Sequence, residues 1–425
     1  MNAIPACPPP VDARRFTVDG DDALEKHLAD VCDQVLAGIQ SLIPPDKLDG
    51  LLLGGGYGRG EGGVLLTDAG ARPYNDLEFY VFIRGNNWLN ERRYRAALQK
   101  LGHEIAHSAG IEIEFKIISA GKLRHSPPSM FYYDLLMGHR WLWGHEGILV
   151  GCGHHRLAHR IPAAEATRLL MNRCSGLLFA REKLRHWPFT EADADFVGRN
   201  LAKAQLAFGD AVLTAFGQYH WSCRQRHAHL RELAATEKFD WLPELLAHHA
   251  AGVEFKLHPR RTRAPLATLM AQHEELSSIG LRVWLWLESR RLGRTFSSGR
   301  DYALSSLDKC PETNLWRNLL VNLNLFGPAM LFEPHAARYP RERLFHALAI
   351  LLWEKRSLDL ELTARLQSEL RTCASLRENL VSAYQALSAR LNGSYLPPAD
   401  PSGPPEHGHA TAAAPVFKYS HSPLL

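Results

Sequence analysis

Apolar and polar residues alternate in two stretches of the first third of the chain, and apolar residues recur at helical spacing through most of the rest. In Asp76–Ile83, Asp76, Glu78 and Tyr80 fall on one face of a strand, and Leu77, Phe79 and Val81 on the other. Ile111–Ile118 repeats the pattern. Glu112, Glu114 and Lys116 lie opposite Ile111, Ile113, Phe115 and Ile117. Leu51–Leu53 reads as a short buried strand. Leu24, Leu28, Val31, Val35 and Ile39 predict a helix from a cap at Asp21 or Asp22 to about Ile43, where Pro44-Pro45 ends it. Glu91–Ala109 reads as a second helix with Leu98, Leu101, Ile105 and Ala109 as its stripe, stopped by Gly110. Met130–Gly144 predicts a helix leading into a short strand. Between the glycine-rich turn after Leu53 and Asp76 the pattern predicts only a short irregular connection.

From Ala163 to about Arg390 the pattern is helical, with no convincing strand. Candidate helices cover 163–186, 190–216, 220–236, 240–251, 265–291, 312–325, 341–354 and 358–391, with Pro188, Pro259, Pro311, Pro328 and Pro340 as punctuation. The fold class is therefore α/β (α+β) followed by a large all-α region. The expected organisation is an irregular segment over 1–19, an α/β domain over 20–160, an α-helical domain over 161–391 and a disordered tail over 392–425. That tail is rich in Pro, Gly, Ser, His and Ala.

Composition changes this picture little. The 425 residues suffice for two or three domains, and a formal net charge of +4 predicts neither a nucleic-acid nor a membrane partner. The seven cysteines include no CxxC pair, which favours reduced thiols and a cytoplasmic location. No apolar run is long enough to span a membrane, and the N-terminus lacks the features of a signal peptide.

The chemistry concentrates in residues 51–82. Gly54-Gly55-Gly56-Tyr57-Gly58-Arg59-Gly60-Glu61-Gly62-Gly63 follows the Leu51–Leu53 strand. Glycines there let backbone N–H groups approach an anion closely, and Arg59 can fork onto phosphate oxygens. Gly58–Gly63 also matches the dinucleotide fingerprint G-x-G-x-x-G, but only Val64–Ala71 precedes Pro73, too short for the required crossover helix. Asp76 and Glu78 stand roughly 6–7 Å apart along one strand face. Two carboxylates that close favour a cation between them, and Mg²⁺ (or Mn²⁺) suits carboxylates combined with triphosphate oxygens. Glu112 or Glu114 would complete a three-carboxylate site if the two strands are neighbours.

Together these residues resemble the nucleotidyltransferase fold of the DNA polymerase β superfamily. The matching pattern is Gly55-Gly56 after a strand, then Arg59-Gly60-Glu61, the acid-x-acid strand Asp76/Glu78, and a later strand carrying Glu112 or Glu114. It covers about residues 50–120 and looks closest to the minimal and antibiotic-type bacterial enzymes. The resemblance implies that Gly55, Gly56, Tyr57, Gly58 and Arg59 bind a nucleoside triphosphate, ATP by default. It implies that Asp76, Glu78 and Glu114 hold metal, with Asp76, Glu78, Glu112 and Glu114 as the catalytic carboxylates. The implied reaction moves a nucleoside monophosphate to a hydroxyl on a small molecule, a protein or an RNA end, and long nucleic acid is disfavoured. A catalytically inactive nucleotide-binding or partner-binding member is the alternative. The chain departs from the family pattern at Gly56, where many relatives have Ser, and at Glu78, where many have Asp.

Other signals are weaker. His154-His155 with His159, His227 with His229, and His248-His249 lack a zinc frame and read as solvated or capping residues. Lys256, Arg260, Arg261 and Arg263 read as an exposed interhelical loop. Tyr132, Tyr133, Trp141 and Trp143 read as core.

Overall fold

The computed structural model describes residues 15–68, 70–333 and 335–391. The expected tail over 392–425, most of the expected irregular start, and Cys7 lie outside the described residues. The chain divides into two compact units. One comprises Met1–Ala166 with Gln205–Arg261, and the other Thr167–Ala204 with Thr262–Leu425.

The first unit is built on a mixed α/β layer. Helix α1 (Asp22–Leu42) starts at Asp21, whose carboxylate accepts from the Leu24 N–H at 2.7 Å. Strand β1 (Leu48–Leu53) leads into a one-turn helix, α2 (Gly55–Gly58), then β2 (Gly63–Thr67), β3 (Gly70–Tyr74) and β4 (Asp76–Ile83). The expected irregular connection is thus a β-hairpin, with β2 paired antiparallel to β3 from Gly63↔Tyr74 to Thr67↔Gly70. The Tyr57 hydroxyl, buried beneath it, donates to the Gly63 or Tyr74 carbonyl and accepts from the Tyr74 N–H. That anchor links residues seventeen apart, so neighbouring sequence alone does not reveal it.

Helix α3 (Asn87–Ala109) crosses to β5 (Glu112–Ile118), and α4 (Ala120–His125), α5 (Met130–Met137) and β6 (Arg140–Gly144) follow. Gly110 ends α3 at φ 64°, as its residue type predicts. The main sheet has the order β5-β4-β1-β6. Only β4 and β5 run parallel; β1 is antiparallel to both its neighbours. On one face Leu51, Leu53, Leu77, Phe79, Val81, Ile113 and Ile117 pack with the apolar stripes of α1 and α3. On the other, Leu52, Tyr80, Phe82 and Ile118 meet Leu123, Leu135 and Leu136, with Tyr132 and Trp141 against them. The predicted aromatic core role of Tyr132, Tyr133, Trp141 and Trp143 agrees with these clusters.

The remaining elements are helical, and no described residue after Ala163 forms a strand. They are α6 (Ala163–Leu184), α7 (Glu191–Ala215), α8 (Cys223–Thr236), α9 (Leu242–Leu257), α10 (Leu266–Leu292), α11 (Gly299–Leu304), α12 (Leu315–Phe326), α13 (Glu342–Trp353), α14 (Leu360–Leu370) and α15 (Arg377–Leu391). Helices α8 and α9 belong to the same unit as the sheet. In the second unit α13 is the central element, buried from Leu344 through Leu352 and packed by α11, α14 and α15. Buried Glu288 accepts from Thr167, Arg291 and Tyr302 there. The single helix expected over 358–391 is two. Arg371 takes a left-handed conformation, and the Arg371 and Thr372 N–H groups both close on the Gln367 carbonyl. No glycine or proline marks that break in the sequence. No helix among the described residues is long and apolar enough to cross a membrane, and the six described cysteines are unpaired.

Candidate active site

Parallel pairing of β4 with β5 sets Asp76 opposite Glu112, Glu78 opposite Glu114 and Tyr80 opposite Lys116. Side chains two apart on a strand share a face, so the four acids and Lys116 stand together. The carboxylates occupy the start of both strands, and the same face turns apolar farther along, at Phe82 and Ile118. Because β1 runs antiparallel to β4, its end brings the glycine turn to the carboxylates. The Gly54 N–H donates to the Glu78 carbonyl at 2.8 Å. Gly55 has φ +63°, and a Cβ there would lie 3.0 Å from Glu78 Oε1. A Cβ on Gly58 would meet the Leu53 carbonyl oxygen at 2.1 Å. Glycine is therefore required at both ends of α2, once for conformation and once for space.

The acids differ in setting. Glu112 is exposed, while Asp76, Glu78 and Glu114 are half-buried. Lys116 Nζ lies 2.5 Å from Glu78 Oε2 and 3.8 Å from Glu114 Oε2, over the rings of Tyr80 and Phe131. The Tyr80 hydroxyl donates to Glu78 at 3.1 Å. Burial pushes the Glu78 carboxyl up, but Lys116 and the Tyr80 hydroxyl prevail and hold it down at about 2. Burial opposes the charge on Lys116 as well, and Tyr80, Glu78 and Glu114 raise it above the ordinary lysine range. Lys116 thus bridges Glu78 on β4 and Glu114 on β5.

This pair sets a pH dependence. A carboxyl depressed from 4.5 to about 2 contributes stability that is present above pH 4.5 and lost as pH falls toward 2. The shift corresponds to about 3 kcal/mol. Denaturant unfolding of wild type and Glu78→Gln is expected to show a stability gap near neutrality that narrows by that order between pH 5 and pH 2. A gap independent of pH would refute it.

Arg59 and Tyr57 both have partners of their own beside the carboxylates. Tyr57 is buried on the hairpin. The Arg59 side chain is buried between Glu61 at 3.8 Å and Asp134 at 3.9 Å. Two carboxylates on the inner side offset the cost of desolvating the guanidinium. Glu61, 1% exposed, accepts from the Ser222 hydroxyl and from the Cys223 N–H, the first residue of α8. It therefore caps α8 from the glycine-rich loop.

Beyond Arg59 the network continues inward. The Tyr219 hydroxyl donates to Asp134, Arg226 donates to Tyr219, and Arg226 Nε lies 3.0 Å from Asp210. His249 Nε2 lies 3.2 Å from the same carboxylate. Burial raises Asp134 to about 6, against the opposing pull of Arg59 and Arg226. The structure thus places the glycine-rich loop, α5, α7, α8 and α9 in one polar network that periodicity could not expose, since its members lie on separate elements.

Lys256 is a residue the sequence misassigned. It lies on α9 rather than in an exposed loop. Burial and Arg59 push its ammonium below the usual lysine range, and Glu78 and Asp76 partly restore it. The α9 backbone reaches the hairpin, with the Lys256 carbonyl near Gly63 and Phe255 edge-on to Tyr74. A lone basic residue one turn before Pro259 carried no signal of this. The histidine pairs behave as structural groups: His154 and His155 bond the Ser126 and Leu123 carbonyls, and His227 stacks on His249. Comparison with protein-family models, curated proteins and solved structures finds no match.

Proposed function

We propose that the first unit is a nucleotidyltransferase domain that transfers a nucleoside monophosphate from a triphosphate to a hydroxyl. The carrying observation is the register that sets Asp76 and Glu78 beside Glu112 and Glu114, with Gly55 packed on the Glu78 carboxylate. An all-oxygen donor set of this kind fits Mg²⁺ or Mn²⁺. Asp76, Glu78 and Glu114 would hold it, and bound there it would neutralise charge on the triphosphate. Glu114 is preferred over Glu112 because it is half-buried and shares Lys116 with Glu78, whereas Glu112 is exposed.

The α2 backbone N–H groups and the Lys256 ammonium would receive phosphate oxygens. Arg59 supports them from behind by fixing Asp134 and Glu61. The acceptor oxygen forms a bond to the α-phosphorus, the bond to pyrophosphate breaks, and Glu114 takes the acceptor proton.

A second reading, nucleotide binding without turnover, draws on Lys116, whose ammonium already neutralises Glu78 and Glu114. The test is purified full chain with each α-labelled nucleoside triphosphate and Mg²⁺ or Mn²⁺, read as pyrophosphate release and labelled product. Release dependent on metal supports transfer. Saturable nucleotide binding with no release under any metal, with hydroxyl acceptors of all three classes supplied, supports the second reading.

Lys116 also gives a separable expectation. In Lys116→Met, Glu78 and Glu114 lose their counter-ion, so Mn²⁺ should raise the melting temperature more than in wild type and bind about tenfold tighter by calorimetry. Equal Mn²⁺ affinity in both proteins would mean that the metal does not use these carboxylates.

A further inference from the structure

The second unit contains a cavity of about 500 Å³ between α6, α10 and the segment from the end of α13 to Arg377. Such a volume suits a small-molecule ligand. Five cations line it, Arg181, Arg185, Lys355, Arg356 and Arg377, against the carboxylates Glu274 and Glu354. Glu274 is already paired with Lys355.

Part of this charge has a structural use. Arg181 donates to the Leu351 and Leu352 carbonyls, and Arg377 to those of Leu351, Glu354 and Arg356. These bonds satisfy the open C-terminus of α13. Helix capping does not explain the rest. Arg185 touches no α13 carbonyl and reaches only Glu182, at 3.4 Å. Arg181 Nε is buried without a hydrogen bond and lies 3.6 Å from Glu182, the carboxylate that Arg185 also reaches. Ser277 lines the cavity at 7% exposure, and its hydroxyl too is buried and unpartnered. Its carbonyl accepts from Trp353 Nε1, which fixes the wall. His273 Nε2 donates to the Leu177 carbonyl at 2.8 Å, leaving Nδ1 as an acceptor.

Leaving a buried hydroxyl unmatched is costly, and the five cations gathered here outnumber the carboxylates Glu182, Glu274 and Glu354 beside them. Burial together with Arg185 and Arg377 lowers Arg181 to about 10. Arg377 is lowered too, by burial and then Arg185.

We propose that this cavity binds a small organic polyanion carrying phosphate or carboxylate groups, held by Arg185, Arg181 and Arg377 with the Ser277 hydroxyl as a fixed polar contact. A concave site with a buried serine favours a small molecule over the continuous backbone of a nucleic acid.

Titration calorimetry of the full chain at fixed ionic strength, with pyrophosphate in one arm and citrate in the other, tests this. At least one anion is expected to bind at a site in the second unit, separate from any pyrophosphate held by the first. Its affinity should weaken about tenfold in Arg185→Gln and in Ser277→Ala, a loss of the size expected for one charged or one buried hydrogen bond. It should persist in Lys256→Gln, which alters only the first unit. Pyrophosphate alone identifies a phosphate ligand, and citrate alone a carboxylate. Arg185 is half exposed, with a side chain 53% accessible, so its variant retains the fold, and Arg356→Gln serves as a second check. Absence of binding by both anions, equal affinity in wild type and Arg185→Gln, or loss in Lys256→Gln would each overturn the proposal. So would binding of polyuridylate that neither anion displaces.

Discussion

Asp76→Asn is expected to fold as wild type does and to lose metal-dependent pyrophosphate release by about 10³-fold, equivalent to roughly 4 kcal/mol of transition-state stabilisation. The residue opens β4 on the polar face, half-buried and opposite Glu112. The variant keeps size and shape while removing the charge on which the proposed cation site depends. Glu112→Gln, exposed at the same level of the sheet, is expected to cost little, and Glu114→Gln to cost nearly as much as Asp76→Asn. Initial rates at saturating nucleotide, with far-UV circular dichroism as a folding control, separate these cases. If Asp76→Asn released pyrophosphate at the wild-type rate, the carboxylate site would not be the reaction centre. If Glu112→Gln were the more severe of the two glutamate variants, the assignment of the third acid would be reversed.

The parts of the molecule that follow local rules were legible before the structure. Alternation placed β4 and β5 and assigned the correct face to every acid. Glycine and proline marked the ends of α1 and α3, and the helical spacing after Ala163 marked most helices to within a few residues. The hairpin β2–β3 was missed because its hold comes from the Tyr57 hydroxyl beneath it. The Arg371 break was missed because a non-glycine residue adopts the left-handed turn. The candidate site divides in the same way. Its carboxylates are written in a period of two, and its glycine turn in composition. Lys256 was placed wrongly because the fold decides whether a cation stays in water. Asp134 lies 75 residues and Ser222 more than 160 residues from the loop they hold, a separation across which no periodic pattern operates.

The second large effect is expected from those distant partners. Arg226 is 4% exposed, bonds Tyr219 at 2.6 Å and lies 3.0 Å from Asp210. Burial works against its charge, and Asp210, Tyr219 and Asp134 raise it well above the ordinary arginine range. Arg226→Met retains the aliphatic bulk but strands Asp210 with only His249 beside it and withdraws the donor from Tyr219. Breaking one side of a buried ion pair costs about 3–5 kcal/mol, much more than the intact pair is worth. Chemical denaturation should register a loss of that size, and amide exchange in β1, β4 and α8 should accelerate with it. Asp210→Leu combined with Arg226→Met removes both charges, so it should recover a substantial part of the loss, because no carboxylate is left unpaired in the interior. An equal deficit in the double variant would mean that the arginine contributes through packing rather than charge. The same double variant tests how the loop is held. Arg59 and Asp134 would lose their link to α8 through Arg226 while Glu61 still caps that helix. Nucleotide affinity should then fall less than stability does, unless the glycine turn depends on the whole chain of contacts from Glu61 to His249.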